Sequence, residues 1–186
     1  MTVTREQLKG AYSEGEAQAI YQEVKQEDDF IGFYRRFMHD EDDQVARNAL
    51  WGLTKANKEE IAQLKPLQDS LIALAMSTNN SSVRRLALNV LEKLQMNEDE
   101  VRTDFLDFCM EHMADTREYP GIQSLCMKLA YRMCSFYPEL MGELKHTVEA
   151  MEPLYYSAAV KSVRNRILNG KMKQAAKLNL CINKYH

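Results

Sequence analysis

Val45-Ala-Arg-Asn-Ala-Leu-Trp-Gly-Leu-Thr-Lys55 and Val83-Arg-Arg-Leu-Ala-Leu-Asn-Val-Leu-Glu-Lys93 decide the fold. The two stretches lie 38 residues apart and agree at six of eleven positions: Val, Arg, Ala, Leu, Leu and Lys. Recurrence at a fixed period of this size marks one supersecondary unit used repeatedly. A further shift of 39 reaches Ile122-Gln-Ser-Leu-Cys-Met-Lys-Leu-Ala-Tyr131, which keeps the apolar frame and Leu125. A shift of 33 beyond that reaches Tyr155-Tyr-Ser-Ala-Ala-Val-Lys-Ser-Val-Arg164, the expected fourth copy. An apolar stripe precedes each copy: Phe30, Phe33 and Phe37; Leu67, Leu71 and Leu74; Phe105, Phe108 and Cys109; Leu140, Leu144 and Val148.

Between and around the copies the apolar period is 3.6, and no segment sustains two-residue alternation. The periodicity predicts helices over 5–25 with a possible break between Gly10 and Gly15, then 29–39, 43–55, 58–64, 66–77 and 82–95. Others are expected at 98–114, 120–136, 138–151, 153–168 and 171–182. Pro120, Pro138 and Pro153 sit where a first helical residue would be, because proline lacks only an N–H that is unpaired there anyway. Asn97 and Glu100 have capping-box spacing. Ser81 or Ser82 is the expected cap of the 82–95 helix, and Pro66 is expected to kink or break the stretch 58–77, with its main helix starting at Pro66.

A helix, a polar turn and then V-R-x-x-A-L-x-x-L resembles the HEAT repeat. Val83-Arg84 with Ala87, Leu88 and Leu91 carries the likeness best. Val45 with Ala49, Leu50 and Leu53 follows, with Ala46 in place of the usual Arg. The resemblance covers roughly 27–168. It implies an all-α solenoid of about four helical pairs, first helices on the convex side and second helices on the concave side. The physics agrees, since one pair cannot bury its stripe alone whereas stacked pairs share a core. The expected organisation is a single repeat domain over 1–186. Residues 1–26 form an N-terminal cap, 27–168 the repeats and 169–186 a basic C-terminal segment.

Composition narrows function by exclusion. The chain has 186 residues, with 45% hydrophobic and 27% charged, an ordinary globular balance. Seven glycines and four prolines leave little for phosphate loops or for the turns of a β-sandwich. The longest apolar run, Leu71 to Met76, is too short to span a membrane, and the N-terminus lacks a secretory apolar core. Cys109, Cys126, Cys134 and Cys181 show no metal spacing and are expected to be reduced thiols of a cytoplasmic protein. Cys109 with His112 supplies two ligands where a structural zinc needs four. Asp40-Glu41-Asp42-Asp43 lacks the mid-loop glycine of a calcium loop. No nucleotide loop, nucleophile elbow or zinc-protease motif is present. His146 and Glu149 could share a proton on a helix face, but no nucleophile accompanies them. Neither enzyme activity nor a cofactor is expected.

The charge distribution is more informative. Net charge is −3, yet residues 153–186 carry seven basic residues and no acid. Transferring the outward stripe Arg85, Asn89 and Glu92 through the repeat register gives a ladder. Its members are Arg47 and Trp51, then Arg85 and Asn89, then Lys128 and Tyr131, then Lys161 and Arg164. One reading makes it a groove for an anionic partner, an acidic protein segment first and nucleic-acid backbone second. The other makes the cations ties between repeats, paired with turn acids such as Asp42 and Asp43, with Trp51 packed on the N-terminal helix. The expected function is therefore a non-enzymatic scaffold that binds protein through this stripe. A DNA-repair-like HEAT protein is the alternative that the resemblance implies. A purely structural subunit would instead expose a large apolar patch.

Overall fold

The computed structural model describes residues 3–172; the expected helix over 171–182, Cys181 and most of the basic tail lie outside them. Among the described residues there are ten α-helices and no strands. They are α1 (Arg5–Lys9), α2 (Glu14–Val24), α3 (Phe30–Phe37), α4 (Asp43–Leu53) and α5 (Gln68–Ser77). Then follow α6 (Ser81–Lys93), α7 (Thr103–Ala114), α8 (Pro120–Cys134), α9 (Pro138–Ala150) and α10 (Ala158–Leu168). Short 3-10 turns occupy Ile61–Leu67, Glu98–Glu100 and Pro153–Tyr155.

Helix starts follow local chemistry. Thr4 and Ser13 form capping boxes with Gln7 and Glu16, which divides the first expected helix into α1 and α2. Asp42 accepts from the Gln44 amide at 2.9 Å, and Ser157 from the Val160 amide at 3.3 Å. The cap of α6 is Asn80, not Ser81 or Ser82. Its Oδ1 accepts from the Ser82 and Val83 amides at 2.9 and 3.1 Å, which draws both serines into the first turn.

Four expected helices are shorter than their apolar pattern. Asn57 Oδ1 accepts from the Glu59 and Glu60 amides, so 58–64 begins as a capped turn and continues only as 3-10 helix. Pro66 has no N–H for a bond back to residue 62, and α5 starts at Gln68 instead of Pro66. Arg102 and Ser157 are extended, which separates the 3-10 turns at 98–100 and 153–155 from α7 and α10.

The helices associate as pairs, α3/α4, α5/α6, α7/α8 and α9/α10, with α1 and α2 against α4. The second helices α4, α6, α8 and α10 pack in succession, whereas α5, α7 and α9 touch one another far less. A tight inner row and a splayed outer row give a curved two-layer superhelix. Equivalent inner positions repeat through the core: Val45, Val83, Ile122 and Val160, then Ala49, Ala87 and Cys126, all buried. Gly52 lets α4 approach its neighbours, since a Cβ there would lie 3.3 Å from Tyr34 Oη.

Candidate functional site on the inner helical face

Aligned on their caps, the four second helices recur at 38, 39 and 38 residues, placing Val160 under Ile122. The fourth copy is therefore offset by 38, and the sequence-based shift of 33 is corrected. That shift put Ser157 on the outward stripe, but Ser157 is the cap and lies before the helix. In the corrected register Ser162, Arg166 and Asn169, all exposed, occupy the stripe positions given to Ser157, Lys161 and Arg164. The signal was present in the sequence: a serine three residues before Val160 is an N-cap pattern.

Arg164 faces elsewhere. Its Nε donates to the Val148 and Met151 carbonyls at 3.0 and 3.2 Å, and its terminal nitrogen to Glu149 O at 3.2 Å. It closes the C-terminal end of α9, where unpaired carbonyls and the helix dipole favour a cation. Lys161 is equivalent to Arg84 and Gln123, which do the same for their own first helices. Arg84 Nε donates to Ala75 O at 3.0 Å, and Gln123 Nε2 to Asp115 O at 2.7 Å.

A second row of cations ties one repeat to the next. Lys55, Lys93 and Arg132 stand at equivalent positions after each cap. Lys93 Nζ donates to Thr54 O at 2.6 Å, at the end of α4. Arg132 donates to Leu94 O at 2.6 Å and Leu91 O at 3.3 Å, at the end of α6, and also reaches Glu92 O. Burial holds both Lys93 and Arg132 below their ordinary pKa. Lys55, in the first pair, instead pairs with Glu14 on α2. The turn acids bind other partners: Asp42 pairs with Lys9 at 2.7 Å, and Asp43 accepts from Asn80 Nδ2 at 2.9 Å. Ties between repeats therefore exist: this second row bonds backbone carbonyls, and side-chain pairs such as Asn80–Asp43 and Lys128–Glu92 cross the same joints.

The remaining stripe residues divide into two places. Arg47, Trp51 and Arg85 come together with Leu86 around a pocket of about 220 Å³ between α4 and α6. Arg47 is fixed by its neighbour: its Nε and a terminal nitrogen donate to Asn48 Oδ1 at 3.2 and 3.0 Å. Asn48 is in turn anchored through Nδ2 to Leu8 O and Ala11 O at 2.7 and 2.9 Å. Arg85 is exposed and makes no ion pair among the described residues. Its stem crosses Gly121, where a Cβ would stand 3.2 Å from Arg85 Cδ. Trp51 carries Lys55 Nζ 5.5 Å from its ring centroid. Lys55, then burial and finally the Trp51 indole shape the Glu14 carboxyl, whose pKa lies below the ordinary value.

Farther along, Lys128 Nζ lies 3.9 Å from Glu92 Oε1, and Asn89 is half-buried between the two groups. Tyr131 is only 7% exposed and lines a separate cavity with Cys134, Ser135, Pro138 and Met141. It does not join Trp51. The outer helices α7 and α9 have the opposite charge, with Asp104, Asp107, Glu111, Glu139, Glu143 and Glu149 all exposed, whereas α3 exposes Arg35 and Arg36.

Cys109 and His112 do not converge: Cys109 is buried, while His112 Nδ1 lies 2.6 Å from Glu118 Oε2. Among the described residues no group of three or more potential metal ligands is found, and no helix is long and apolar enough to cross a membrane. The large exposed apolar side chains Tyr12, Tyr119, Leu154 and Tyr155 stand at the turns before α2, α8 and α10, and none lines the pocket at Trp51.

A family model described as HEAT repeat domain matches residues 4–171. No curated protein and no solved structure matches the chain.

Proposed function

Because the chain belongs to the HEAT repeat family, whose stacked helical pairs commonly serve as protein-binding scaffolds, we propose that it is a non-enzymatic cytoplasmic scaffold holding an acidic protein segment on its inner helical face. One observation carries the reading. Arg47 and Arg85 face one pocket beside Trp51, and Arg85 has no carboxylate partner among the described residues. Cations needed only as ties between repeats sit in the other row, on Lys93 and Arg132. The stripe cations Arg85 and Arg166 make no ion pair among the described residues and are thus left to meet an anion, Lys128 stands beside Glu92, and the acidic outer face of α7 and α9 discourages binding there.

An acidic segment crossing α4, α6 and α8 would meet Arg47, Arg85 and Lys128 in turn. Neighbouring helix axes stand about 8–10 Å apart, a step that an extended chain covers in about three residues. The test is a titration with labelled peptides of equal length, acidic, neutral and basic, beside a single-stranded oligonucleotide. The acidic peptide is expected to bind saturably and the other two peptides not at all. Tighter oligonucleotide binding, with a log–log salt slope of about −0.7 per phosphate contacted, would overturn the protein-segment reading in favour of nucleic acid.

A further inference from the structure

The pocket between α4 and α6 has more positive charge than one carboxylate can match. Arg47 and Arg85 line it with Trp51, Lys55 stands over the indole, and the Glu14 carboxylate is already paired with Lys55. Two guanidinium groups therefore remain for whatever enters. Arg47 is held by the Asn48 amide, which is bonded to two carbonyls of the N-terminal cap, and the Arg85 stem lies across Gly121. Two guanidinium groups at one pocket suit a group with several acceptor oxygens and more than one negative charge.

We infer that this pocket receives a phosphomonoester carried by the partner segment, a phosphorylated side chain rather than a plain carboxylate. The inference rests on the inner-face reading above and sharpens it. Near neutral pH a phosphomonoester carries about −1.5 to −2 charge and three acceptor oxygens, enough to engage both arginines at once. A carboxylate or a phosphodiester carries a single charge and would leave one guanidinium unmatched. The Trp51 indole and the Leu86 side chain supply an apolar wall for the carbon that bears the phosphate.

Three probes that share one ring separate these chemistries: phenyl phosphate, methyl phenyl phosphate and benzoate. Each is titrated into the full chain while the Trp51 indole and arginine Nε resonances are followed by NMR. Phenyl phosphate is expected to bind at least about tenfold more tightly than the two monoanions near neutral pH. That preference should vanish below the second phosphate pKa of about 6. Arg85→Gln should remove most of it while leaving the spectrum of the helical core unchanged. Equal affinity for the three probes, no saturable shift, or an unaltered preference in Arg85→Gln would overturn the inference. An acidic peptide that still binds the stripe under those results would leave the scaffold reading standing. Loss of peptide binding alongside intact phenyl phosphate binding would count against the scaffold reading instead.

Discussion

Arg132, near the end of α8, donates to the carbonyl oxygen of Leu94 at 2.6 Å, across the joint between the second and third helical pairs. The same guanidinium reaches Leu91 O and Glu92 O, so one side chain answers several carbonyls that the end of α6 leaves without partners.

Replacing Arg132 with Ala should cost about 2–3 kcal/mol, because a buried acceptor left without a partner loses more than an average hydrogen bond contributes. Arg132→Lys should recover part of the loss. Urea unfolding measures both. A change within about 0.5 kcal/mol, as expected of an ordinary surface position, would contradict the tie.

Gly52 and Gly142 should respond to Ala in opposite directions. At Gly52 the new Cβ meets the buried Tyr34 hydroxyl at 3.3 Å, and overpacking should destabilise by about 1–2 kcal/mol. At Gly142 on α9 nothing lies within 4 Å, so helix propensity should stabilise by up to about 1 kcal/mol. Thermal melts of the two variants test the pair together.

Acid should weaken the joint between the N-terminal cap and the first pair. The Glu60 carboxylate accepts from Lys25 Nζ, from the Asn57 amide at 3.0 Å and from Tyr21 Oη at 2.9 Å. Lys25 foremost, followed by the Asn57 amide, holds its pKa below the ordinary 4.5. The unfolded chain then binds the proton more readily, so the stabilisation is full above 4.5 and fades as pH falls through the lower folded value. Unfolding free energies measured from about pH 7 to about pH 3 should decline less steeply in Glu60→Gln than in the wild type.

Cys109, Cys126 and Cys134 are buried in the third pair. Burial, aided by the neighbouring Cys126 thiol, pushes Cys109 well up, and burial pushes Cys134 up to about 11. All three should resist an aromatic disulfide reagent in the folded protein and react once it is denatured. Fast reaction of any of them in the native state would contradict their placement.

The fold was legible because Val45–Lys55 and Val83–Lys93 share six residues, and because caps and prolines mark where helices begin. The offset of the last copy was harder to read. The third and fourth copies lack the Val-Arg pair, and the apolar frame alone allowed Tyr155 to stand in for Val160. The row of Lys55, Lys93 and Arg132 is visible in the sequence, but Lys93 and Arg132 bond backbone carbonyls, which carry no residue signature. For that reason the stripe and the ties could not be separated from residue types alone. The Arg47–Trp51–Arg85 grouping did follow from the repeat register, since Arg47 and Arg85 hold the same position in successive copies.

The scaffold reading is tested most directly by removing positive charge from the inner face. Arg85→Glu combined with Lys128→Gln changes neither Lys93 nor Arg132 and sets no second carboxylate beside Glu92, so the helical circular dichroism and melting temperature should stay near the wild-type values. With Trp51 fluorescence as the readout, an acidic peptide should titrate the wild type saturably, weaken with added salt through screening, and fail to titrate the double variant. An unchanged affinity in a folded double variant, or unfolding of that variant, would contradict the claim that these cations serve a partner.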